Sequence, residues 1–291
     1  MPETEDIFDA LKKAEELLRQ SGMEDAATEA LFMVASACGE RPSVLLTIRD
    51  RKLKDSSKEL LKGWLERRIL REPLQYILGE TEFYGYPIKV TPDVLIPRPE
   101  TEEIVDEALK ALKGVKNPIV LDLCAGSGCI AIAIAKEIHG SCVIAIDASP
   151  KALAIAEENA VLNNVEKSIT FLEGDLFASL KASGFEFSFD LIASNPPYIK
   201  TGDIETLPPE VRLHEPRMAL DGGTDGLFSI RRIIFDAPKY LKPGGTLLME
   251  IGFGEAEDVK RIVSDTGLYE FFEIKKDLEG IDRILKAVRK S

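Results

Sequence analysis

The sequence predicts an α/β protein, a parallel sheet covered by helices on both faces and preceded by a small all-α domain. Three observations carry this. From residue 118 onward, apolar runs alternate with helix-patterned runs. Those apolar runs are unbroken, as in "PIVLDL" and "CVIAID", so neither face of the sheet is left to water. Residues 4–72 instead carry apolar side chains at helical spacing, beginning with Ile7, Leu11, Ala14, Leu17 and Leu18.

The elements follow in order. "SGMEDAATEALFMVASACG" reads as a second helix ending near Gly39 and "RPSVLLTIRDRKL" as a short third element. "SSKELLKGWLERRILRE" is a fourth, with Ser56 or Ser57 as its cap and a stop before Pro73. The helical domain is therefore expected to end near residue 75. Phe83, Tyr84, Tyr86, Ile88 and Val90, interrupted by Gly85 and Pro87, predict a hairpin that joins the two halves. "PRPETEEIVDEALKAL" opens a helix that Thr101 is placed to cap. Strands are then expected at "PIVLDLCAG", "SCVIAIDAS", "SITFLEGD", "FDLIASNPPY", "GGTLLMEIG", "YEFFEIKKD" and "DRILKAVRK". The main helices between them are "GCIAIAIAKEI", "PKALAIAEENAVLNN", "LFSIRRIIFDAPKYL" and "EAEDVKRIVSDTG".

Composition narrows the function. The 291 residues fit one large domain or two ordinary ones. With 45% hydrophobic and 30% charged residues, the chain reads as soluble and globular. No apolar run approaches the ~20 residues that cross a bilayer. The acidic, helix-patterned start "MPETEDIFDALKKAEELL" lacks the features of a signal peptide, and the cytoplasm is the expected compartment. The formal net charge of −13 counts against a nucleic-acid substrate, because phosphates need positive surface. One basic stretch, Arg49 to Arg71, has nine Lys or Arg against four Asp or Glu. It reads either as a solvated helix face with i,i+4 pairs or as a docking surface for an acidic partner or RNA. Cys38, Cys124, Cys129 and Cys142 form no Cys-x-x-Cys pair and have only His139 and His214 for company, which argues against zinc. They read as small buried thiols in a reducing compartment.

Ligands on parallel sheets bind at the carboxyl ends of the strands, and four such ends stand out. "DLCAGSG", Asp122 to Gly128, is a tight turn in which Gly126 and Gly128 let a ligand approach the backbone at a helix start. It lacks the third glycine of a dinucleotide fingerprint. Asp147 ends the next strand, 19 residues after Gly128, where a carboxylate can accept both hydroxyls of a ribose. Asp147 or Ser149 also suits a helix cap. Asp175 ends the third strand, where an acid can take the amino group of an adenine or again cap a helix. Together these suit a nucleoside with a small anionic tail, and S-adenosyl-L-methionine fits better than a pyrophosphate. The fourth end is "SNPPYI", Ser194 to Ile199. It resembles methyltransferases that use Asn-Pro-Pro-Tyr on a planar, conjugated nitrogen. Such a lone pair is delocalised and attacks poorly, so a site must hold the NH2 and aim it. The Asn195 side-chain oxygen can accept one N–H and the Pro196 carbonyl the other. Pro197 stiffens that carbonyl, and Tyr198 can pack on the flat group.

The motif leaves adenine, guanine or a glutamine amide open. "REPLQYILGETEFYGYPIKVTPDVLIPRPETE", a short helical domain before it and the closing "GIDRILKA" resemble the PrmC/HemK family, protein-glutamine methyltransferases that modify peptide-chain release factors. The likeness runs over essentially the whole chain and is sharpest in Pro97–Glu102 with Asn195–Tyr198. It implies a Rossmann-like class I methyltransferase domain, with a mostly parallel seven-stranded sheet and a C-terminal antiparallel hairpin. It divides the chain into a substrate-docking helical domain (1–75), a hairpin linker (76–100) and a catalytic domain (101–291). The implied reaction methylates the side-chain amide nitrogen of the glutamine in the Gly-Gly-Gln motif of class 1 release factors, with S-adenosyl-L-homocysteine as product. Cys124, Ala125, Gly126, Ser127 and Gly128 would contact the methionine part of the cofactor, Asp147 the ribose, and Asp175 with Leu176 the adenine. Asn195 would face both cofactor and glutamine, beside Pro196, Pro197 and Tyr198, with Leu95 and Ile96 walling the pocket. Cys124 stands where the family often has glycine, and Leu176 where it often has an aromatic. In "IPRPETE", Pro97 and Pro99 would stiffen the linker and Arg98 pair with Glu100, or the stretch would close over the cofactor. A monomer without stable nucleic acid is expected. The competing readings are a nucleic-acid amino-methyltransferase and a non-catalytic nucleoside sensor.

Overall fold

The computed structural model describes residues 6–45, 47, 48, 50–181 and 184–291. The chain forms two compact units. The first runs to Gly79 and takes in the short helix Pro209–His214. The second comprises Glu80–Pro208 and Glu215–Ser291.

The first unit is helical: α1 (Ile7–Gln20), α2 (Ala26–Cys38), α3 (Pro42–Leu45), α4 (Asp55–Ile69) and α5 (Leu74–Leu78). Asp6 caps α1 by accepting the Asp9 N–H, and Gly39 ends α2 in the left-handed conformation that its missing Cβ permits. Ala14, Leu18, Ala30, Met33, Val34 and Leu61 meet in one core. The expected cap of α4 does not form: the helix begins at Asp55, so Ser56 and Ser57 fall inside its first turn. The short α5 carries the unit a little past the expected boundary.

The basic stretch is largely spent on internal pairs. Arg68 is buried, with its guanidinium donating to Glu29 at 2.6 and 3.0 Å and to Glu210 at 3.1 Å. Arg71 also reaches Glu210, at 3.2 Å, while Arg51 pairs with Glu40, Lys58 with Asp55 and Arg67 with Glu72. Buried Arg68 departs from the expected solvated helix face, since its partners lie on other helices rather than at i,i+4; Arg49 lies outside the described residues.

The second unit opens with a hairpin, β1 (Glu80–Phe83) and β2 (Tyr86–Lys89), turned by Tyr84 and Gly85 at φ 53° and 76°. Two consecutive positive φ values match the twist of a two-residue hairpin loop. Then come α6 (Glu102–Ala111), β3 (Ile119–Leu123), α7 (Cys129–Glu137), β4 (Cys142–Asp147), α8 (Pro150–Leu162), β5 (Ile169–Glu173) and β6 (Phe189–Ser194). After Pro209–His214, counted as α9, follow α10 (Arg217–Leu220), α11 (Phe228–Tyr240), β7 (Leu241–Glu250), α12 (Ala256–Thr266), β8 (Tyr269–Lys276) and β9 (Asp282–Arg289). β7 begins earlier than its apolar run suggests, because Leu241 already pairs with Phe189 across a register shift.

Seven strands form one sheet in the order β5-β4-β3-β6-β7-β9-β8. β3 to β7 are parallel, and β8 and β9 form the antiparallel C-terminal pair. This is the class I methyltransferase arrangement that the sequence led us to expect. Val120 and Leu121 are both fully buried although consecutive strand residues point to opposite faces, so both faces are covered. α11 contributes Ile230, Ile233 and Ile234, and α12 Val259, to the core over Leu121, Ile144, Ile192 and Leu247. The chain winds outward from β3 through β4 to β5, then returns to β6 on its other side. The carboxyl end of β3 is therefore the switch point at which a crevice opens. Of the four cysteines only Cys129 is buried; Cys38 and Cys124 are partly exposed, and Cys142, the first residue of β4, is exposed.

Candidate active site

A cavity of about 360 Å³ opens at that switch point. Its floor comes from the carboxyl ends of β3, β4 and β6 and the turn after β5: Cys124 to Ser127, Asp147, Gly174 to Leu176, Asn195 and Pro197. Asp93 to Leu95, Pro97 and Thr101 form one wall, and Pro216, Met218, Ala219, Phe228 and Arg232 another. The first wall is held by α8. Asn159 is fully buried, accepts the Lys89 N–H at 2.7 Å, and donates to the carbonyls of Lys89 (2.9 Å) and Ser127 (3.0 Å). Four of the expected site residues, Ile96, Gly128, Pro196 and Tyr198, do not line the cavity.

The two glycines of "CAGSG" have different tasks. A Cβ on Gly126, at φ 54°, would meet only the Cys124 carbonyl oxygen, at 4.0 Å, and the Gly126 N–H donates to Asp147 at 2.8 Å. A Cβ on Gly128 would stand 3.0 Å from that of Ala156, so this glycine serves packing against α8 rather than approach of a ligand. Cys124 takes φ 59°, a left-handed conformation that costs a non-glycine residue about 1 kcal/mol. Burial pushes its thiol pKa up. Asp122 is fully buried; burial lifts its carboxyl to about 8, with one oxygen bonded to the Ala131 N–H and the other without a partner among the described residues. Asp147 accepts N–H groups from Gly126 and Ser149, each at 2.8 Å, while burial raises its pKa. Ser149, not Asp147, caps α8. Asp175 is engaged by Arg232 through two hydrogen bonds of 2.9 and 2.8 Å. Leu176, at φ 54°, is buried beside it.

At the fourth strand end, Ser194 donates to the Leu123 carbonyl at 2.8 Å and ties β6 to β3. Asn195 Nδ2 donates to Thr101 Oγ1 at 3.0 Å, and Thr101 donates to Glu250 Oε2 at 2.6 Å. Tyr198 donates to the other Glu250 oxygen at 3.0 Å. Glu250 is buried at the end of β7, and burial raises its pKa. Asn195 Oδ1 is left without a hydrogen bond among the described residues, on a side chain that lines the cavity. Pro196 is buried, and its carbonyl takes part in no turn or loop hydrogen bond among the described residues.

Several of these partners escape a reading of the sequence. Thr101 does not cap α6; its hydroxyl goes to Glu250. Glu250 looks like the polar end of an apolar strand. Arg98 pairs with the buried Glu215 at 2.6 Å, not with Glu100. The glycine-rich Asp221–Gly226 braces the motif from behind: a Cβ on Gly222 would come within 2.7 Å of Tyr198 Cα. Ile199 N donates to the Leu220 carbonyl and Gly222 N to the Ile199 carbonyl, at 2.9 and 2.8 Å. The density of glycine there is the one signal that was available.

Two family models match the chain: the PrmC N-terminal domain over residues 9–79 and the methyltransferase small domain over residues 103–210. The release factor glutamine methyltransferase of Geobacter sulfurreducens is 45% identical over 92% of this chain and 91% of its own length. That of Caulobacter vibrioides is 39% identical over 97% and 96%. The chain belongs to the release factor glutamine methyltransferase family. Among solved structures, the T. thermophilus 16S rRNA N2 G1207 methyltransferase RsmC, in complex with AdoMet and guanosine, aligns with a TM-score of 0.53 at 18% identity. It covers 73% of this chain and 50% of RsmC, a likeness of fold.

For a release factor glutamine methyltransferase, the cavity fits S-adenosyl-L-methionine as methyl donor. Asp93, Asp147, Asp175 and Asp221 line it against one guanidinium, Arg232, a balance that favours a cationic ligand and opposes a pyrophosphate. The remaining lone pairs of Asp147 suit a ribose, and Leu95, Ile146, Leu176 and Phe228 supply apolar surface for a base. Among the described residues, no three His, Cys, Asp or Glu side chains are grouped to hold a metal.

Proposed function

We propose that this protein transfers a methyl group from S-adenosyl-L-methionine to the side-chain amide nitrogen of the glutamine in the Gly-Gly-Gln motif of class 1 release factors. The observation that carries this is the unpaired Asn195 Oδ1 in the cavity, its amide fixed by Thr101. When bound, S-adenosyl-L-methionine supplies an electrophilic methyl group, and the chain's residues hold the nitrogen that receives it. Cys124 to Ser127 take the methionine part, Asp147 the ribose, and Leu176 with Asp175 the adenine. Asn195 Oδ1 accepts one N–H of the glutamine amide and the Pro196 carbonyl the other. With both protons held, the nitrogen lone pair is aimed away from the acceptors. Their dipoles also favour the positive charge that grows on nitrogen during transfer. No base is needed before transfer, since the cationic product sheds its proton afterwards. Leu95 walls the pocket. Tyr198 holds the turn through Glu250 rather than stacking on the substrate.

The helical residues 1–75 dock the release factor, 76–100 join the parts and 101–291 carry the chemistry. The enzyme works as a monomer in the cytoplasm and needs no stable nucleic acid, in keeping with a net charge of −13. No helix among the described residues is long and apolar enough to cross a membrane. The test offers labelled cofactor with a release factor, its loop Gln→Ala variant, or duplex DNA and ribosomal RNA. Label on the intact release factor alone is expected. Label on nucleic acid alone would establish the amino-methyltransferase alternative, and none at all the sensor.

A further inference from the structure

We propose that Thr101 is a positioning residue for methyl transfer: its hydroxyl, with its proton committed to Glu250, dictates which end of the Asn195 amide faces the cavity. The inference rests on the role given to Asn195 above.

The oxygen and nitrogen of an asparagine amide have nearly the same shape, so a turn of prolines cannot by itself choose between its two orientations. The choice matters, because Oδ1 accepts a substrate N–H whereas the flipped amide would set N–H against N–H. The structure settles the choice through hydrogen-bond polarity. Glu250 is buried, and its carboxylate receives Thr101 at 2.6 Å and Tyr198 at 3.0 Å. Both Glu250 oxygens accept, one from Thr101 and one from Tyr198, so the Thr101 proton points at Glu250. Thr101 Oγ1 can then only accept from Asn195, and the Asn195 atom 3.0 Å away is Nδ2. Oδ1 is left for the cavity. The three partners come from the start of α6, the end of β6 and the end of β7, so the relay fixes the amide against the sheet. Thr101 is 2% exposed and seated by its own N–H on the Arg98 carbonyl at 3.1 Å.

The test uses the full chain with a release factor and compares Thr101→Val, Thr101→Ser and Glu250→Gln. Valine keeps the shape and loses the acceptor. It is expected to lower kcat about 100-fold, the scale of a misplaced reacting group. Affinity for S-adenosyl-L-homocysteine should change little, while thermal stability falls because a buried Glu250 oxygen loses its partner. Serine should restore turnover. Glu250→Gln, which can donate as well as accept, should lower kcat at least about tenfold by loosening the polarity. A substrate-free readout accompanies these. In the S-adenosyl-L-homocysteine complex, one Asn195 side-chain N–H should exchange slowly with solvent, and Thr101→Val should abolish that protection. Wild-type kcat in Thr101→Val or Glu250→Gln, a serine variant as impaired as valine, or unchanged Asn195 exchange would each overturn the proposal. A wild-type protein that labels no release factor would count against the assigned reaction, and the exchange measurement would still decide the orientation.

Discussion

Asn195 lines the cavity with an Oδ1 that no described residue engages, and in the proposed mechanism the chemistry turns on that atom. Replacing Asn195 by alanine should lower kcat about 100-fold or more, as for loss of one preorganised polar group, with little change in S-adenosyl-L-homocysteine affinity by calorimetry. A large loss of that affinity would reassign the residue to the cofactor. Gly222 makes a second prediction. A Cβ there would press on Tyr198 Cα at 2.7 Å, and backbone cannot give way as a flexible side chain does. Gly222→Ala should cost about 1–3 kcal/mol in denaturant unfolding and lower turnover as the motif shifts. Unaltered stability and kinetics would mean that the turn is not braced there. Residues next to one another in sequence are the easiest to read: Asn195, Pro196 and Pro197 announce a rigid corner at a strand end by type alone. Thr101 and Glu250 were not legible. They lie 94 and 149 positions from their partners, and locally each looks like an ordinary helix start or strand end.

Among the elements, α4 depends on a buried charge. Arg68 satisfies Glu29 and Glu210 together, so Arg68→Leu would strand Glu29 and leave Glu210 with Arg71 alone. The helical unit should lose about 3 kcal/mol, read by chemical denaturation, whereas changing the exposed Lys62 should do almost nothing. Helix α6 is tied to the C-terminal strands by Glu107, which receives Lys110 at 2.8 Å and Lys286 at 3.0 Å and lies 3.6 Å from Lys275. Burial works to raise its pKa, but the three lysines outweigh it and hold the carboxyl below its ordinary 4.5. A depressed carboxylate pKa stabilises the fold above the unfolded value and loses that effect as pH falls through the folded one. Glu107→Gln should therefore cost about 1 kcal/mol at neutral pH, and the difference from wild type should begin to shrink below pH 4.5 and vanish once pH has fallen through the lower folded-state value. A difference independent of pH would assign the effect to packing. The basic stretch around α4 looked like a surface because sequence spacing does not reveal partners such as Glu29 and Glu210 on other helices.

For the whole molecule, the order of elements carried most of the fold. Unbroken apolar strands between helices can be buried only in a doubly covered parallel sheet, and strand ends with glycine or acid mark the side on which a ligand sits. The short helices α5, α9 and α10 were missed, since four to six residues hold too little periodicity to stand out. The early start of β7 was hidden by "KPGG", which reads as a turn: Leu241 pairs with Phe189, and the register shifts before Thr246 pairs with Leu191. The acidic total and the cavity lined by carboxylates point the same way, toward a cationic cofactor and a protein acceptor. The most direct measurement is mass spectrometry of a class 1 release factor after incubation with this protein and S-adenosyl-L-methionine. One methyl group on the side chain of the glutamine in Gly-Gly-Gln, formed at least about 100-fold more slowly when Asn195 is alanine, is the predicted result. A methyl group on any other residue, or on that glutamine at a rate independent of Asn195, would contradict the account.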